Sequence, residues 1–313
     1  MLAHFVLSLA LAGGDLVIVE EAKAAAPLAK TALGRAFLDA VPRLPAGEAR
    51  TIYKKDRQWL PAVAFDALPE AERSAFQKMV WKADGFYTTK YGSPLAYLRA
   101  VELVGGQGWK SFEKRRVLDF GYGGLGQLRL MALAGAAAVG VDVDPFLAAL
   151  YASPGDQGKL GEGDVKLVHG SWPKEVGAAV GGGFDLFVSK NTLKRGYLHP
   201  VQLVEERQRV RLGVEDEAFL RAVREALKPG GLALIYNLCP PQNPPDKEWI
   251  PWADGRCPFP RELWEKAGFE VLAYDVDDGP AARAMGRAIG WEKKMGDLEK
   301  QLFATYTLAR RKE

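Results

Sequence analysis

The sequence predicts an α/β protein built on a mostly parallel sheet with helices on both faces, and three observations lead there. From about residue 116 onward, short and almost continuously apolar runs alternate with helical stretches. Strands covered on both sides by crossover helices require that texture. A glycine-rich turn, Gly121-Tyr122-Gly123-Gly124-Leu125-Gly126, separates the first such run from the first helix after it. The composition, 48% hydrophobic and 26% charged over 313 residues, is that of a folded globular chain.

The runs are Val117-Leu118-Asp119-Phe120, Ala138-Val139-Gly140-Val141-Asp142, Val165-Lys166-Leu167-Val168, Phe184-Asp185-Leu186-Phe187-Val188 and Leu232-Ala233-Leu234-Ile235-Tyr236. Two more strands are expected at residues 269–274 and 303–308. Between the first two runs a helix passes through Leu128, Leu130, Met131 and Leu133. A helix over residues 216–228 puts Phe219, Leu220, Val223 and Leu227 on one stripe, with acids at its start and bases at its end. Pro229-Gly230-Gly231 stops it.

Residues 31–110 read as helical. Pro69 with Glu70 and Glu72 has the form of a first helical turn, which would continue through Ala75, Phe76, Met79 and Val80. A second helix starts at Ser93-Pro94 and carries Leu95, Leu98, Val101 and Glu102 to a stop at Gly105-Gly106. Three segments follow: 1–30, an apolar leader or helix; 31–110, a helical cap or lid; and 111–313, the ligand-binding domain. Residues 2–12 are nearly all apolar and end in Ala10-Leu11-Ala12, a small-residue cleavage pattern, yet no Lys or Arg precedes them. Two readings fit: a signal peptide of an exported protein, or an apolar helix lying on the body of a cytoplasmic one. Export would permit a Cys239–Cys257 disulfide, whereas a reducing compartment leaves free thiols.

Several classes are excluded. Lys and Arg total 42 against 39 Asp and Glu, a net charge of +3, a weak excess that gives no electrostatic case for nucleic acid, so none is expected as a partner. No run reaches the roughly 20 apolar residues of a membrane span. His4, His169 and His199 with two cysteines show no metal-ligand spacing, so no metal is expected.

The residues with chemistry cluster at the glycine turn. Ligands of open α/β sheets bind beyond the carboxyl ends of the strands, and the first crossover turn is the usual cradle. Glycine lets the backbone turn tightly and approach a ligand. Asp142, 23 residues after Asp119, ends the second strand, where its carboxylate suits the two hydroxyls of a ribose. Gly121, Gly123 and Gly126 also satisfy the dinucleotide pattern G-x-G-x-x-G, so an NAD(P)-dependent oxidoreductase stays open, although no Tyr-x-x-x-Lys relay is present. Asp119 favours another ligand. A carboxylate there repels a diphosphate and attracts an ammonium, which points to adenosine joined to an amino acid, as in S-adenosylmethionine.

Over residues 117–308 the chain resembles the class I S-adenosylmethionine-dependent methyltransferases. The segment from Val117 to Gly123 is similar to the family's first motif, Val139-Gly140-Val141-Asp142 to its second-strand motif, and His169-Gly170-Ser171-Trp172-Pro173 to its adenine-side loop. Phe184-Asp185-Leu186-Phe187-Val188-Ser189 and Leu227-Lys228-Pro229-Gly230-Gly231 match the fourth strand and the turn before the fifth.

The resemblance implies a Rossmann-like sheet of seven strands in the order 3-2-1-4-5-7-6, the last antiparallel, and methyl transfer to a small-molecule acceptor. It implies cofactor contacts from Asp119, Gly121, Tyr122, Gly123, Asp142, Val143, Ser171, Trp172 and Ser189. A non-catalytic binding protein of the same fold is the remaining alternative. Lys190 and Asn191, just past the fourth strand, are candidates to reach the reacting centre. Tyr91, in a segment that folds over the cofactor in many relatives, is a third, and Tyr87 shares that segment. The stretch after Ser189 lacks the Asn/Asp-Pro-Pro-Tyr motif of base and amide N-methylating members. Lys194 and Arg195 read as a solvated basic pair or an anion clamp, and His199 as a surface residue or a base. Trp249, Trp252, Asp254 and Arg256, in the proline-rich loop 239–260, are candidates for the acceptor pocket or for a rigid connection.

Overall fold

Residues 13–313 are described in this computed structural model, so the apolar stretch 2–12 and any cleavage after Ala12 lie outside the described residues. Ile18, Ala22 and Ala25 of the helix Gly13–Ala25 are buried in the hydrophobic core, so this part of the first segment packs on the body of the protein.

The segment 31–110 departs from the helical expectation. It contains an antiparallel sheet of β1 (Arg50–Lys55), β2 (Gln58–Pro61) and β3 (Gln77–Trp81) in the order β2-β1-β3. The turn begun at Pro69 lasts only from Glu70 to Arg73. Met79 and Trp81 are half-buried whereas Lys78 and Val80 are exposed, a period of two that makes a strand of what reads as a helix continuation. Trp59 and Trp81 meet Phe146 edge-on at 5.2 and 5.0 Å between ring centroids, fastening the small sheet to the main body. The second expected helix is present. Ser93 accepts a hydrogen bond from the Leu95 amide at 3.3 Å, one 3₁₀ turn follows over Pro94–Tyr97, and the α-helix runs over Leu98–Gly105.

The main sheet comprises β4 (Arg116–Phe120), β5 (Ala137–Asp142), β6 (Gly158–Leu160), β7 (Gly163–His169), β8 (Phe184–Lys190), β9 (Leu227–Cys239), β10 (Phe269–Asp277) and β11 (Phe303–Arg311). Its order is β10-β11-β9-β8-β4-β5-β7-β6. Strands β7, β5, β4, β8 and β9 are parallel, and β11 runs antiparallel to both β9 and β10. The expectation of seven strands is corrected to eight. β6 pairs antiparallel with β7 at the edge, and the order differs from the expected one by that strand. Three residues around a Gly161-Glu162 turn carry too little pattern to announce a strand.

Successive residues of β4 face opposite layers: Val117 joins the core that contains Leu128, Val101 and Met285, and Leu118 the one that contains Phe219, Leu220 and Val223. The helix Asp216–Ala226 buries the predicted stripe but stops at Ala226, because Leu227 already pairs with Phe184 of β8. Cys239 and Cys257 are both buried and both free. Among the described residues no helix is long and apolar enough to cross a membrane, and no cluster of metal-ligating side chains occurs.

Candidate functional site

The carboxyl ends of β4, β5, β8 and β9 open into a cleft of about 570 Å³. A smaller slot of about 150 Å³ adjoins it between the ends of β4, β5 and β7. This is where the strand order reverses, the place at which open α/β sheets bind ligands.

The glycine turn forms the floor. Gly121 and Gly123 have φ values of 72° and 60°, a left-handed backbone that favours glycine. A Cβ on Gly121 would stand 2.0 Å from Thr192 Oγ1, and one on Gly123 would stand 3.0 Å from the Tyr91 ring, so both positions are also held open for the protein's own side chains. The third glycine serves packing: a Cβ on Gly126 would come within 2.7 Å of Pro94.

Asp119 lies behind the cleft wall, not on it, which corrects its expected direct contact with a ligand. It is 0% exposed. Its oxygens accept hydrogen bonds from the Tyr97 hydroxyl at 2.9 Å and from Gln127 Nε2 at 3.0 Å. Burial pushes its pKa up to about 7, against the pull of Gln127, Tyr97 and the nearby Lys190. Gln127 Nε2 also donates to the Tyr122 carbonyl at 2.6 Å. Those two acceptors fix the amide, so Gln127 Oε1 is left as a free acceptor beside Gly124 on the cleft wall.

Asp142 stands at the end of β5 with both oxygens partly engaged. Oδ2 accepts from the Gly123 amide at 3.1 Å and Oδ1 from the Asp144 amide at 2.9 Å. A carboxylate has about four lone-pair sites, so capacity remains for two hydroxyls. Burial raises its pKa, and the two amides oppose that shift. Val143, 68% exposed, faces both the cleft and the slot. Phe120, Val141, Trp172 and Val210 make the slot apolar, and Trp172 is itself only 3% exposed. Ser171 also lines the slot. The Tyr122 ring is buried beneath the turn, so this residue offers mainly its backbone. Ser189 is corrected as a contact: it is fully buried, and its Oγ accepts from the Leu193 amide at 3.4 Å.

A roof comes from the segment before β4. Tyr91 donates its hydroxyl to Asp144 Oδ2 at 2.6 Å, Lys90 Nζ reaches the same oxygen at 2.7 Å, and Thr89 Oγ1 donates to the Gly123 carbonyl at 3.0 Å. Tyr87 belongs to the core instead, its hydroxyl donating to the Pro45 carbonyl and accepting from Arg129.

The opposite wall is built from the ends of β8 and β9. Lys190 is 8% exposed and lines the cleft, with Nζ 5.1 Å from the centroid of the Tyr97 ring. Burial pushes its pKa down to about 8, with Asp119 opposing. Asn191 adopts φ 66°, and its Oδ1 accepts from the Leu238 amide at 2.7 Å. That hydrogen bond ties the start of one loop to β9, so the side-chain oxygen is spent on structure. Lys194 is not solvated. It is buried, and Nζ donates to the Leu238 and Trp252 carbonyls at 2.6 and 3.0 Å, pinning the 239–260 loop over the cleft.

His199 pairs with Asp216 at 2.8 Å away from the cleft. Asp254 and Arg256 pair with each other, and Trp249 lines a separate hollow, which leaves Trp252 as the loop's aromatic contribution to the cleft. Tyr97, Gln127 and the stretch containing Arg207 and Val210 are site residues that the sequence did not announce. A polar residue in the first turn after a glycine motif is the one signal that could have found Gln127.

No family model matches the chain, nor does any curated protein. Among solved structures it overlaps an S-adenosylmethionine-dependent methyltransferase from Mesorhizobium loti at 17% identity, covering 69% of this chain and 98% of that one, with a TM-score of 0.39. A magnesium protoporphyrin IX methyltransferase from Synechocystis overlaps at 13% identity, 70% and 79% coverage and a TM-score of 0.38. A phosphoethanolamine N-methyltransferase 2 from Haemonchus contortus overlaps at 14% identity, 86% and 70% coverage and a TM-score of 0.40. Overlaps this loose assign no function by themselves. The fold and the site define an α/β protein with an open cleft at the carboxyl ends of its parallel strands.

Proposed function

We propose that the chain is a class I S-adenosylmethionine-dependent methyltransferase acting on a small-molecule acceptor. The observation that carries this reading is the chemical order along the cleft. An apolar slot at Val143 and Trp172 is followed by the Asp142 carboxylate, then by the glycine turn with the Gln127 amide oxygen, and then by open space at the ends of β8 and β9. A flat base, a ribose diol, an ammonium and a second reactant match those surroundings in that order. Gln127 Oε1 would accept from the ammonium, with the amide held in that orientation by Asp119 and the Tyr122 carbonyl.

A dinucleotide matches less well. Its diphosphate needs an open helix N-terminus. Here Pro94 stands on Gly126, the Leu125 amide donates to the Tyr151 hydroxyl at 3.3 Å, and the Gly124 amide donates to the Tyr122 carbonyl at 2.6 Å.

Bound in this cleft, the cofactor supplies an electrophilic methyl group. The chain's own part is to hold the two reactants in line and keep water out. Tyr91 and Lys90 close the roof, the glycine turn fixes the floor, and Lys194 holds the loop that bounds the acceptor side.

Calorimetric titration with S-adenosylhomocysteine tests this, with one site per chain expected. Asp142→Ala should weaken that binding by about 1–3 kcal/mol, through loss of the hydroxyl contacts. Absence of binding to the folded wild-type chain, or thermal stabilisation by NAD alone, would overturn the reading. An unchanged affinity in the variant would remove Asp142 from the ribose.

A further inference from the structure

We infer that the acceptor half of the cleft is a subsite for a flat small molecule carrying an acidic oxygen, a phenol, bound as its oxyanion on the Lys190 ammonium. This rests on the methyltransferase reading and specifies its substrate class.

The charge of the cleft is divided. Its carboxylates, Asp142 and Asp144, stand at the end of β5, on the side of the ribose. At the ends of β8 and β9 the lining side chains include Lys190, Lys194 and Arg207 and no carboxylate. These cations are not equivalent. Lys194 is committed to two carbonyls, and Arg207 is an exposed residue paired with Glu205. Lys190 is the buried one that makes no hydrogen bond among the described residues, resting on the Tyr97 ring face. Its three donors are held by no acceptor among the described residues and open on the cleft, where an acceptor is needed to offset the cost of placing a charge in a largely buried position. The nearby Asp119 makes no hydrogen bond to Lys190, its oxygens being held by Tyr97 and Gln127, and Lys194 adds positive potential. An anionic oxygen arriving from the cleft supplies the missing acceptor.

The rest of the wall sets the shape. Tyr197, Trp252 and Leu238 present flat or apolar surface around the same space, which suits an aromatic ring more than a sugar or a peptide. With such an acceptor the reaction balances without a further base. The hydroxyl proton goes to solvent when the oxyanion forms, the oxygen lone pair makes the new C–O bond, and the electrons of the broken C–S bond stay on sulfur. Lys190 keeps its own proton throughout.

The test is a spectroscopic titration of the full chain with 4-nitrophenol and with its neutral analogue 4-nitroanisole, near neutral pH, where the Lys190 ammonium is still charged, with and without S-adenosylhomocysteine. The wild-type chain should bind 4-nitrophenol as the phenolate, about tenfold or more tightly than the anisole. Lys190→Met keeps the volume and removes the charge, so the preference should fall to about twofold or less while S-adenosylhomocysteine affinity and melting temperature hold. Trp252→Ala should weaken both probes alike and leave the preference intact.

Equal binding of the two probes by the wild type, or by neither, would overturn the inference, as would a preference that survives in Lys190→Met. A loss of about tenfold or more in S-adenosylhomocysteine affinity in that variant would also overturn it, giving Lys190 to the cofactor's carboxylate instead. Should S-adenosylhomocysteine fail to bind the wild type at all, the methyltransferase reading falls, and the phenolate preference is still read without it.

Discussion

Gly121→Ala should destabilise the chain by about 2–5 kcal/mol and abolish binding in the cleft, a loss that combines backbone strain with overpacking. The backbone of Gly121 is left-handed, at φ 72°, where a non-glycine residue is strained. The new Cβ would also lie 2.0 Å from Thr192 Oγ1 and 2.7 Å from both Thr192 Cβ and Cγ2. Because the Thr192 Cβ is part of the clash, rotation of that side chain cannot relieve it. In a Thr192→Gly background the overpacking disappears and only the strain remains, so the same alanine should cost about 1–3 kcal/mol there. Urea unfolding of the four proteins of this cycle measures the difference. An alanine tolerated within about 0.5 kcal/mol in the wild-type background would show that the floor yields and is not built as described.

Asp119→Asn should change how stability depends on pH more than it changes stability at any one pH. The carboxyl of Asp119 is pushed from its ordinary range up to about 7 in the folded chain, chiefly by burial. Between the unfolded and folded values the native state therefore keeps a proton that the unfolded chain has lost. The contribution is fully present below about pH 4 and is lost as pH rises through about 7. The size of the effect is on the order of 4 kcal/mol. Asparagine keeps an acceptor for the Tyr97 hydroxyl but sets an N–H group against Gln127 Nε2, a pH-independent penalty of about 1–3 kcal/mol.

The stability of the variant relative to wild type should thus rise steadily from pH 4 to 7. Lys190, pushed down to about 8, titrates above this window. Denaturant midpoints collected across the range decide it. Parallel curves would mean that Asp119 is ionised and well solvated by its partners throughout.

Much of the fold was readable because burial on both faces leaves a mark on each strand. Val117, Leu118, Val139, Val141 and Leu186 form the apolar runs that became β4, β5 and β8. The small sheet was not readable, since Pro69 and two acids signal a helix start that ends after one turn and five-residue strands carry little periodicity. The floor of the site was visible in Gly121, Gly123 and Asp142, where backbone geometry dictates residue type. What surrounds it was not. Tyr97 reaches Asp119 across 22 positions of sequence, and no local pattern records that a carboxylate is sealed from water. Lys194 beside Arg195 has the look of a solvated pair, and only the arrival of the 239–260 loop turns it into a buried strut.

The roof over the glycine turn is latched to Asp144, two residues from the carboxylate that the ribose would use. Floor and latch thus share one short stretch of backbone, the Asp144 amide donating to Asp142 while the Asp144 carboxylate holds the roof. Lys90 and Tyr91 are the exposed partners in those two contacts, so water and salt compete for the latch, and the roof should loosen as ionic strength rises.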